Sequence, residues 1–574
     1  MKKFLEFIGE YKKYAILSPL CVLCEVTMDV FMPYIMAKII DNGVINGAGI
    51  MYIFKIGIIM IGMAFVSLIF GILAGKFSAM ASMGFGKNIR KALFNKVQEF
   101  SFSNIEHFST SSLITRITTD VVNIQNAFMM IIRGAFRSPF MLIGAITMAI
   151  ITDSKLSYIF LLSVPVLSIS VYIIFKIVYP RFQVLLKKYD DLNLAVQENL
   201  TGIRLVKAFV REKYEEEKFN KKARHLADLG IFTEKVVMLN MPIMQCVVYS
   251  CIIAVLWFGG KSVMLNNMNV GELSSFLVYI MQILRSLMMI SIVFIMLNMS
   301  KASSDRILEV LDTKSTIKNT GGIKNLNDGS ISFQNVSFSY IGKKNNLVLK
   351  DITFDIESGK TLGIIGGTGS GKSSLVQLLP RLFDITEGKL LVGGKNIKDY
   401  DLYSLRNNIG LVLQKNTLFS GTIKENLLWG NENATDEEIR EACKFAEADD
   451  FIMSFSNKYN TMLGQGGVNV SGGQKQRLCI ARALLKKPKI LIFDDSTSAV
   501  DTATDAKIRK VLIENIPNTT KIIIAQRILS VKDADKILVL NNGVIDGIGT
   551  HNELLKNNEI YKEIYNSQQN EIKK

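Results

Sequence analysis

The sequence predicts a multi-domain chain: an all-α six-span transmembrane bundle with long cytoplasmic helices, followed by an α/β domain built on a P-loop. Three observations predict it. Segments 56–75, 156–175 and 236–260 run for 20, 20 and 25 residues without a charged side chain. Beyond residue 330 the pattern changes to short alternating and apolar runs of strand type. GGTGSGKS at 366–373 fits G-x-x-x-x-G-K-[ST]. Composition agrees. A mean hydropathy of +0.26 is too high for a purely soluble chain, and 21% charged residues is too many for a membrane bundle alone. Only 9 Pro among 574 residues, 49% of them hydrophobic, exclude disordered and collagen-like classes.

A helix needs about 20 apolar residues to cross the hydrocarbon. Three further spans, interrupted by charge, lie at about 14–40, 128–152 and 273–300, giving six. Lysine and arginine set the orientation. Lys2, Lys3, Lys12 and Lys13 precede the first span, and 13 Lys or Arg fall in 176–235. The short connections on the other side carry little: none in 41–50, Lys155 alone and Lys261 alone. Both termini and both long connections are therefore expected in the cytoplasm. Much of the net charge of +16 is explained this way, so the lipid bilayer is the expected partner and nucleic acid is not. KKFLEFIGEYKK (2–13) reads as an amphipathic surface helix, with no small-residue cleavage site after it, so a removable signal peptide is not expected. The six Cys form no disulfide framework, and Cys21-x-x-Cys24 lies in an apolar stretch as helix packing. Three His leave no His-rich metal site.

The connections at about 83–127 and 181–235 are periodic and rich in helix formers, so they read as helices continuing out of the membrane. Their tips are expected near 111–117 and 199–207. The transmembrane domain is assigned to 1–310, a polar Gly-containing linker to 311–329, and the nucleotide domain to 330–574.

In that last domain, ISFQNVSFSY (331–340) and VLKDITFDI (348–356) alternate as strands, and TLGIIG (361–366) reads as a buried strand entering the P-loop. The helical SSLVQLLPRLF (373–383) follows. Gly366, Gly367, Thr368, Gly369, Ser370 and Gly371 would close backbone N–H groups around ATP phosphates at a helix N-terminus, with Ser374 just beyond. Lys372 would neutralise the β- and γ-phosphates, and the Ser373 hydroxyl would ligate Mg²⁺. KILIFDD (489–495) is an apolar strand ending in Asp494, placed for Mg²⁺, and Asp495, placed to orient an attacking water.

VSGGQKQR (470–477), just before that strand, resembles the signature of ATP-binding cassette (ABC) proteins, with Val470 where Leu is usual. Gln414 looks like the family's Q-loop residue, adding to Ser373 and Asp494 around Mg²⁺. Tyr340 looks like its adenine-stacking aromatic, Ser498–Asp501 (SAVD, with Asp501) like its D-loop, and TGIRLVKAF (201–209) like its second coupling segment. Six spans fused ahead of one cassette resemble an exporter-type half-transporter. The resemblance implies that two halves dimerise in a bacterial cell membrane and sandwich two ATP molecules. Val470, Ser471, Gly472, Gly473 and Gln474 would then face the partner's ATP.

Two positions depart from the family. Its catalytic Glu is here Asp495, one methylene shorter, and its switch His is here Gln526, which cannot be cationic. Both weaken the site on this chain's own P-loop, while the binding parts and the signature are intact. The pattern resembles heterodimeric multidrug-type exporters with one degenerate site. The alternatives are a homodimeric lipid or peptide exporter and an ATP-gated regulatory membrane protein.

Glu25 and Asp29 share one face of the first span, Arg285 is expected at similar depth in the sixth, and Arg133 and Arg137 lower in the third. Either these charges pair structurally, or the acids line a cavity for cationic amphipathic compounds. The 23 Met before residue 320 suit a polyspecific surface or plain membrane filler.

Overall fold

The computed structural model describes residues 2–572, apart from 320, 341, 343–345 and 496–500. Two compact units result, Met1–Gln98 with Thr110–Thr313, and Glu99–Ser109 with Lys314–Lys574.

In chain order the helices up to residue 312 are α1 (Lys12–Lys38), α2 (Ile50–Gln98), α3 (Phe102–Phe108), α4 (Thr110–Thr115), α5 (Val121–Thr152), α6 (Tyr158–Thr201), α7 (Ile203–Ala208), α8 (Glu212–Met238), α9 (Asn240–Met264) and α10 (Val270–Asp312). Among the described residues six helical stretches are long and apolar enough to cross a membrane. The most apolar window of α2 has no buried residue, and Ile58, Ile61, Phe65, Leu68 and Ile72 are exposed on it. Such a surface is stable only against lipid. Pro19 and Pro33 in α1, Pro139 in α5, and Pro165 and Pro180 in α6 sit inside helices. Membrane bundles tolerate this because neighbouring groups satisfy the freed carbonyls.

The core of this unit forms where α1, α5, α6, α9 and α10 face one another, around Val22, Val26, Ala149, Phe160, Val255, Phe276 and Tyr279. A fully buried Asp120, in a π-turn before α5, fixes the end of α10. It accepts from Ser303 Oγ (2.8 Å) and Arg306 Nε (2.8 Å). Residues Lys2–Tyr11 form a 3₁₀ segment broken at Gly9, with Phe4 and Ile8 buried and Phe4 edge-on to Phe85. Its amphipathic pattern thus has an apolar side spent on α2.

Tyr11 lies directly on α2 because Gly84 has no side chain. A Cβ there would sit 2.3 Å from the Tyr11 ring. Gly84→Ala should destabilise this unit by about 1–3 kcal/mol, the usual penalty for overpacking. The check is the melting temperature of the purified protein; an unchanged value would contradict this packing.

The second unit begins unexpectedly early. The segment that belongs to it is 99–109, whereas the expected tip, 111–117, lies in α4 and the π-turn of the first unit. A capping box between Ser101 and Asn104 starts α3 as a separate helix, and Ser109 (φ 59) ends it. Ser101 Oγ meets Thr316 Oγ1 at 2.6 Å, and Phe102 packs 6.1 Å from Phe383. The polar stretch after α10 is also anchored: Ile323 N–H donates to Asp399 O (2.8 Å), and Leu326 is buried.

Strands β1 (Ile331–Phe338), β2 (Leu349–Ile356), β4 (Glu387–Val392) and β5 (Lys395–Asn396) form an antiparallel sheet in the order β2-β1-β4-β5. A two-stranded ladder joins β7 (Gly421–Thr422) to β8 (Met462–Leu463). The remaining strands, β3 (Thr361–Ile365), β6 (Ile409–Val412), β9 (Ile490–Asp494), β10 (Thr520–Ile524), β11 (Lys536–Asn541) and β12 (Val544–Gly549), form a six-stranded sheet in the order β12-β11-β3-β10-β9-β6, parallel except for β12. Alternation explains its two cores. Ile490, Ile492, Ile522 and Ile524 join the core shared with β1 and β2. Leu491, Phe493 and Ile523 join the core under the helix Gly472–Leu485. Buried on both faces, the central strands read as continuous apolar runs.

The helix after the P-loop, α11, spans only Lys372–Gln377 and not the expected 373–383. Pro380 lacks an N–H and disfavours helix at the residue before it, and Arg381 takes φ 49.

Candidate nucleotide site and intramembrane cavity

The P-loop spans the gap from β3 to α11. Gly366 passes so close to β11 that a Cβ would lie 2.1 Å from Leu540 O. Gly371 caps α11 at φ 98, a conformation natural to glycine. Over Gly367 and Gly369 a Cβ would meet nothing within 4 Å, so the crest of the loop is open. Lys372 Nζ donates to Gly366 O (2.8 Å) and Gly367 O (2.7 Å), inside the ring of backbone it would leave to meet phosphate. Burial lowers its pKa, and Asp495 and Asp494 oppose that.

Parallel pairing of β9 and β10 brings the two departures together. Asp494, at the end of β9, pairs with Ile524 at the end of β10, so Asp495 and Gln526 both leave the same edge. Ser373 Oγ donates to Asp494 Oδ1 (2.7 Å). Burial raises the Asp494 pKa, against the Ser373 bond and Lys372. Asp495 takes φ 47, and its Oδ2 accepts from Gln526 Nε2 (2.5 Å) and Gln414 Nε2 (3.3 Å). Its pKa too is raised, first by burial. Two carboxylates and a hydroxyl thus converge beside the open loop, with the Gln414 side chain against Asp495, and these hard oxygens fit Mg²⁺.

Tyr340 is 39% exposed, with its hydroxyl 2.8 Å from Ser374 Oγ and its ring edge-on to Phe338 and Phe383. Phe102, Phe383 and Tyr340 therefore form a continuous row of rings, which the sequence, with Phe102 far upstream of the other two, did not disclose. Away from this site, Ser471 caps the helix Gly472–Leu485 in a capping box with Gln474, and Ser471 and Gly472 are exposed while Val470 is buried. Asp501 caps Thr502–Asn515, accepting from Thr504 N (2.9 Å). The other three residues expected in the D-loop, 498–500, lie outside the described residues.

Comparison with known proteins now decides the family. The profile of the ABC transporter transmembrane region matches residues 15–287, and that of the ABC transporter matches 349–498. The uncharacterized ABC transporter ATP-binding protein YfiB of Bacillus subtilis is 38% identical over 568 residues, covering 99% of this chain and 98% of YfiB. The chain belongs to the ABC transporter family. YgaD of Bacillus subtilis, provisionally named a multidrug export ATP-binding/permease protein, is 32% identical over 586 residues, covering 99% of each chain. The structure of a bacterial Atm1-family ABC exporter with ATP bound superposes with a TM-score of 0.84 at 24% identity, covering 98% of this chain and 99% of that one. This ABC transporter is accordingly a membrane-embedded, ATP-binding ATPase with the exporter fold, of a type that acts as a dimer in the bilayer.

Its membrane unit holds a cavity of about 510 Å³, lined by Asp29, Arg137, Gln282 and Arg285 and by Met32, Met36, Met60, Met141 and Met289 among others. Glu25 lies behind it. Arg137 Nη1 donates to Glu25 Oε1 (2.5 Å) and Arg137 Nη2 to Asp29 Oδ2 (3.2 Å), while Ser67 Oγ donates to Asp29 Oδ1 (2.8 Å). Arg137 therefore meets the acids at their own level and not lower as expected. Its long stem carries the guanidinium away from its Cα, a reach that residue counting ignores. This arginine, which the sequence offers as one of the charges that could pair structurally with the acids, is what ties α1 to α5.

Proposed function

We infer that this chain is one half of a heterodimeric ABC exporter that uses ATP to extrude amphipathic or lipophilic compounds, and that its own P-loop site binds nucleotide but hydrolyses it poorly. The observation that carries this is the Asp495 carboxylate, short by one methylene and held by Gln526 and Gln414, beside an intact phosphate-binding set. Gly366–Ser373 and Tyr340 hold ATP, and Lys372 moves from the loop carbonyls to the β- and γ-phosphates. Ser373, Gln414 and Asp494 would hold Mg²⁺, which would offset the charge of the phosphates. Ser471 to Gln474, at an exposed helix N-terminus, present N–H groups to the partner's ATP. Closure around two ATP molecules favours one arrangement of the membrane helices, and hydrolysis at the competent site reopens it. The size of the cavity suits a small amphipathic compound. The relative named for multidrug export supports the same class. The excess of Lys and Arg in the N-terminal segment and the longest connection supports a cytoplasmic side for the termini and cassette in a bacterial cell.

Steady-state ATPase tests the pairing. Alone, the chain should turn over slowly; purified with a half-transporter carrying Glu and His at the positions of Asp495 and Gln526, activity should rise at least about tenfold, a barrier change of about 1.4 kcal/mol. Vigorous turnover by the chain alone would refute the heterodimer.

A further inference from the structure

The sequence left open whether Glu25 and Asp29 attract a cationic compound. In the structure both carboxylates bond to Arg137, and Asp29 also accepts from Ser67. Sharing one guanidinium, the two carboxylates keep a single net negative charge, and Glu25 is not among the residues that line the cavity. On α10, Arg285 lines the same cavity, is exposed, and has no ion pair or hydrogen bond among the described residues. One turn earlier, Gln282 spends its Nε2 on Asp29 O (3.0 Å), while its Oε1 is buried without a partner. Around these groups the five methionines supply a soft apolar wall that moulds to varied shapes. Within a membrane an unpaired guanidinium facing a cavity marks a ligand contact.

We propose that this cavity binds an amphipathic anion, its acid group on the Arg285 guanidinium and its apolar body on the methionines. The charge class of the expected cargo is thereby reversed relative to what the acidic pair alone suggests. Arg137 serves as an internal counter-ion that offsets one of the two charges of Glu25 and Asp29 and so reduces their repulsion of such a ligand, and Arg285 is the specificity-determining residue. This assignment rests on reading the chain as an exporter half. An acid of this kind could reach the cavity as a free single-chain molecule or as a lipid headgroup, and both present the same anion.

The test uses the full chain in nanodiscs of neutral lipid. Binding of NBD-dodecanoate, its methyl ester, an NBD-dodecyl trimethylammonium and NBD-phosphatidate is followed by fluorescence. The acid should bind at least about tenfold more tightly than the ester or the ammonium compound, tenfold being 1.4 kcal/mol. Arg285→Gln should remove that preference and Arg285→Lys should keep it within about threefold, since Lys retains the charge. Preference for phosphatidate over dodecanoate identifies a lipid headgroup, and the reverse a free acid. Equal binding of the acid by Arg285→Gln, or tighter binding of the ammonium compound by the parent, overturns the proposal. ATP-driven uptake into inverted vesicles by the assembled pair is measured separately. Acid binding that depends on Arg285 without any uptake refutes the exporter reading, whereas uptake indifferent to Arg285 refutes the charge assignment.

Discussion

In the assembled pair, Gly472→Asp should lower ATPase at least about 100-fold, while Asp495→Asn should change it less than about threefold. The two substitutions act on different sites. Gly472 opens the helix Gly472–Leu485, is exposed, and follows the capping Ser471. A carboxylate introduced there would face the partner's γ-phosphate, and like charges about 4 Å apart near a protein surface repel by about 4 kcal/mol. The helix itself would not suffer, because an acid at its N-terminus is favourable to the dipole. Loss of turnover would therefore report on the sandwich and not on folding. Asp495→Asn, by contrast, alters a carboxylate that already accepts from Gln526 and Gln414 and is displaced from the family's position. Turnover abolished by Asp495→Asn and spared by Gly472→Asp would exchange the assignments of degenerate and competent site.

The parts of this molecule legible in sequence are those where function is local. Residues 366–373 carry their chemistry in eight consecutive positions, and β3, which precedes them, is apolar because both faces are buried. The strand 490–494 and its terminal acids are readable for the same reason. Asp495 and Gln526 could be compared with a family pattern one by one, but their contact depends on the register of β9 against β10. Long-range partners were hidden. The sequence offers several charges that could pair with Glu25 without singling out Arg137, 112 residues on, and nothing near Phe102 announces Phe383. The early end of α11 is written in Pro380, although 373–383 as a whole reads as helical. Where 99–109 belongs is a matter of packing, and helical periodicity runs through it without a mark.

Restoring the two altered groups should restore chemistry to this chain's own site. We expect Asp495→Glu with Gln526→His to raise its turnover roughly 100-fold, the scale of loss from a 1 Å displacement of a reacting group. The pair must be changed together. Asp495 sits at φ 47 with Oδ2 only 2.5 Å from Gln526 Nε2, so the amide now holds the carboxylate. Lengthening the acid alone would push it against that amide. Replacing Gln526 alone would free a carboxylate still too short. The measurement is made in the assembled pair with the partner's catalytic Glu replaced by Gln, so that remaining turnover comes from this site. Because Gly366–Ser373 and Asp494 are untouched, KM for ATP should stay within about threefold while kcat rises, the mark of an interaction made only in the transition state. Each single substitution should recover less than the square root of the combined gain, since both groups act on one water and one phosphate and their effects are coupled. A double variant no faster than the parent would mean that another feature silences the site, and the degenerate-site reading of Asp495 and Gln526 would fail.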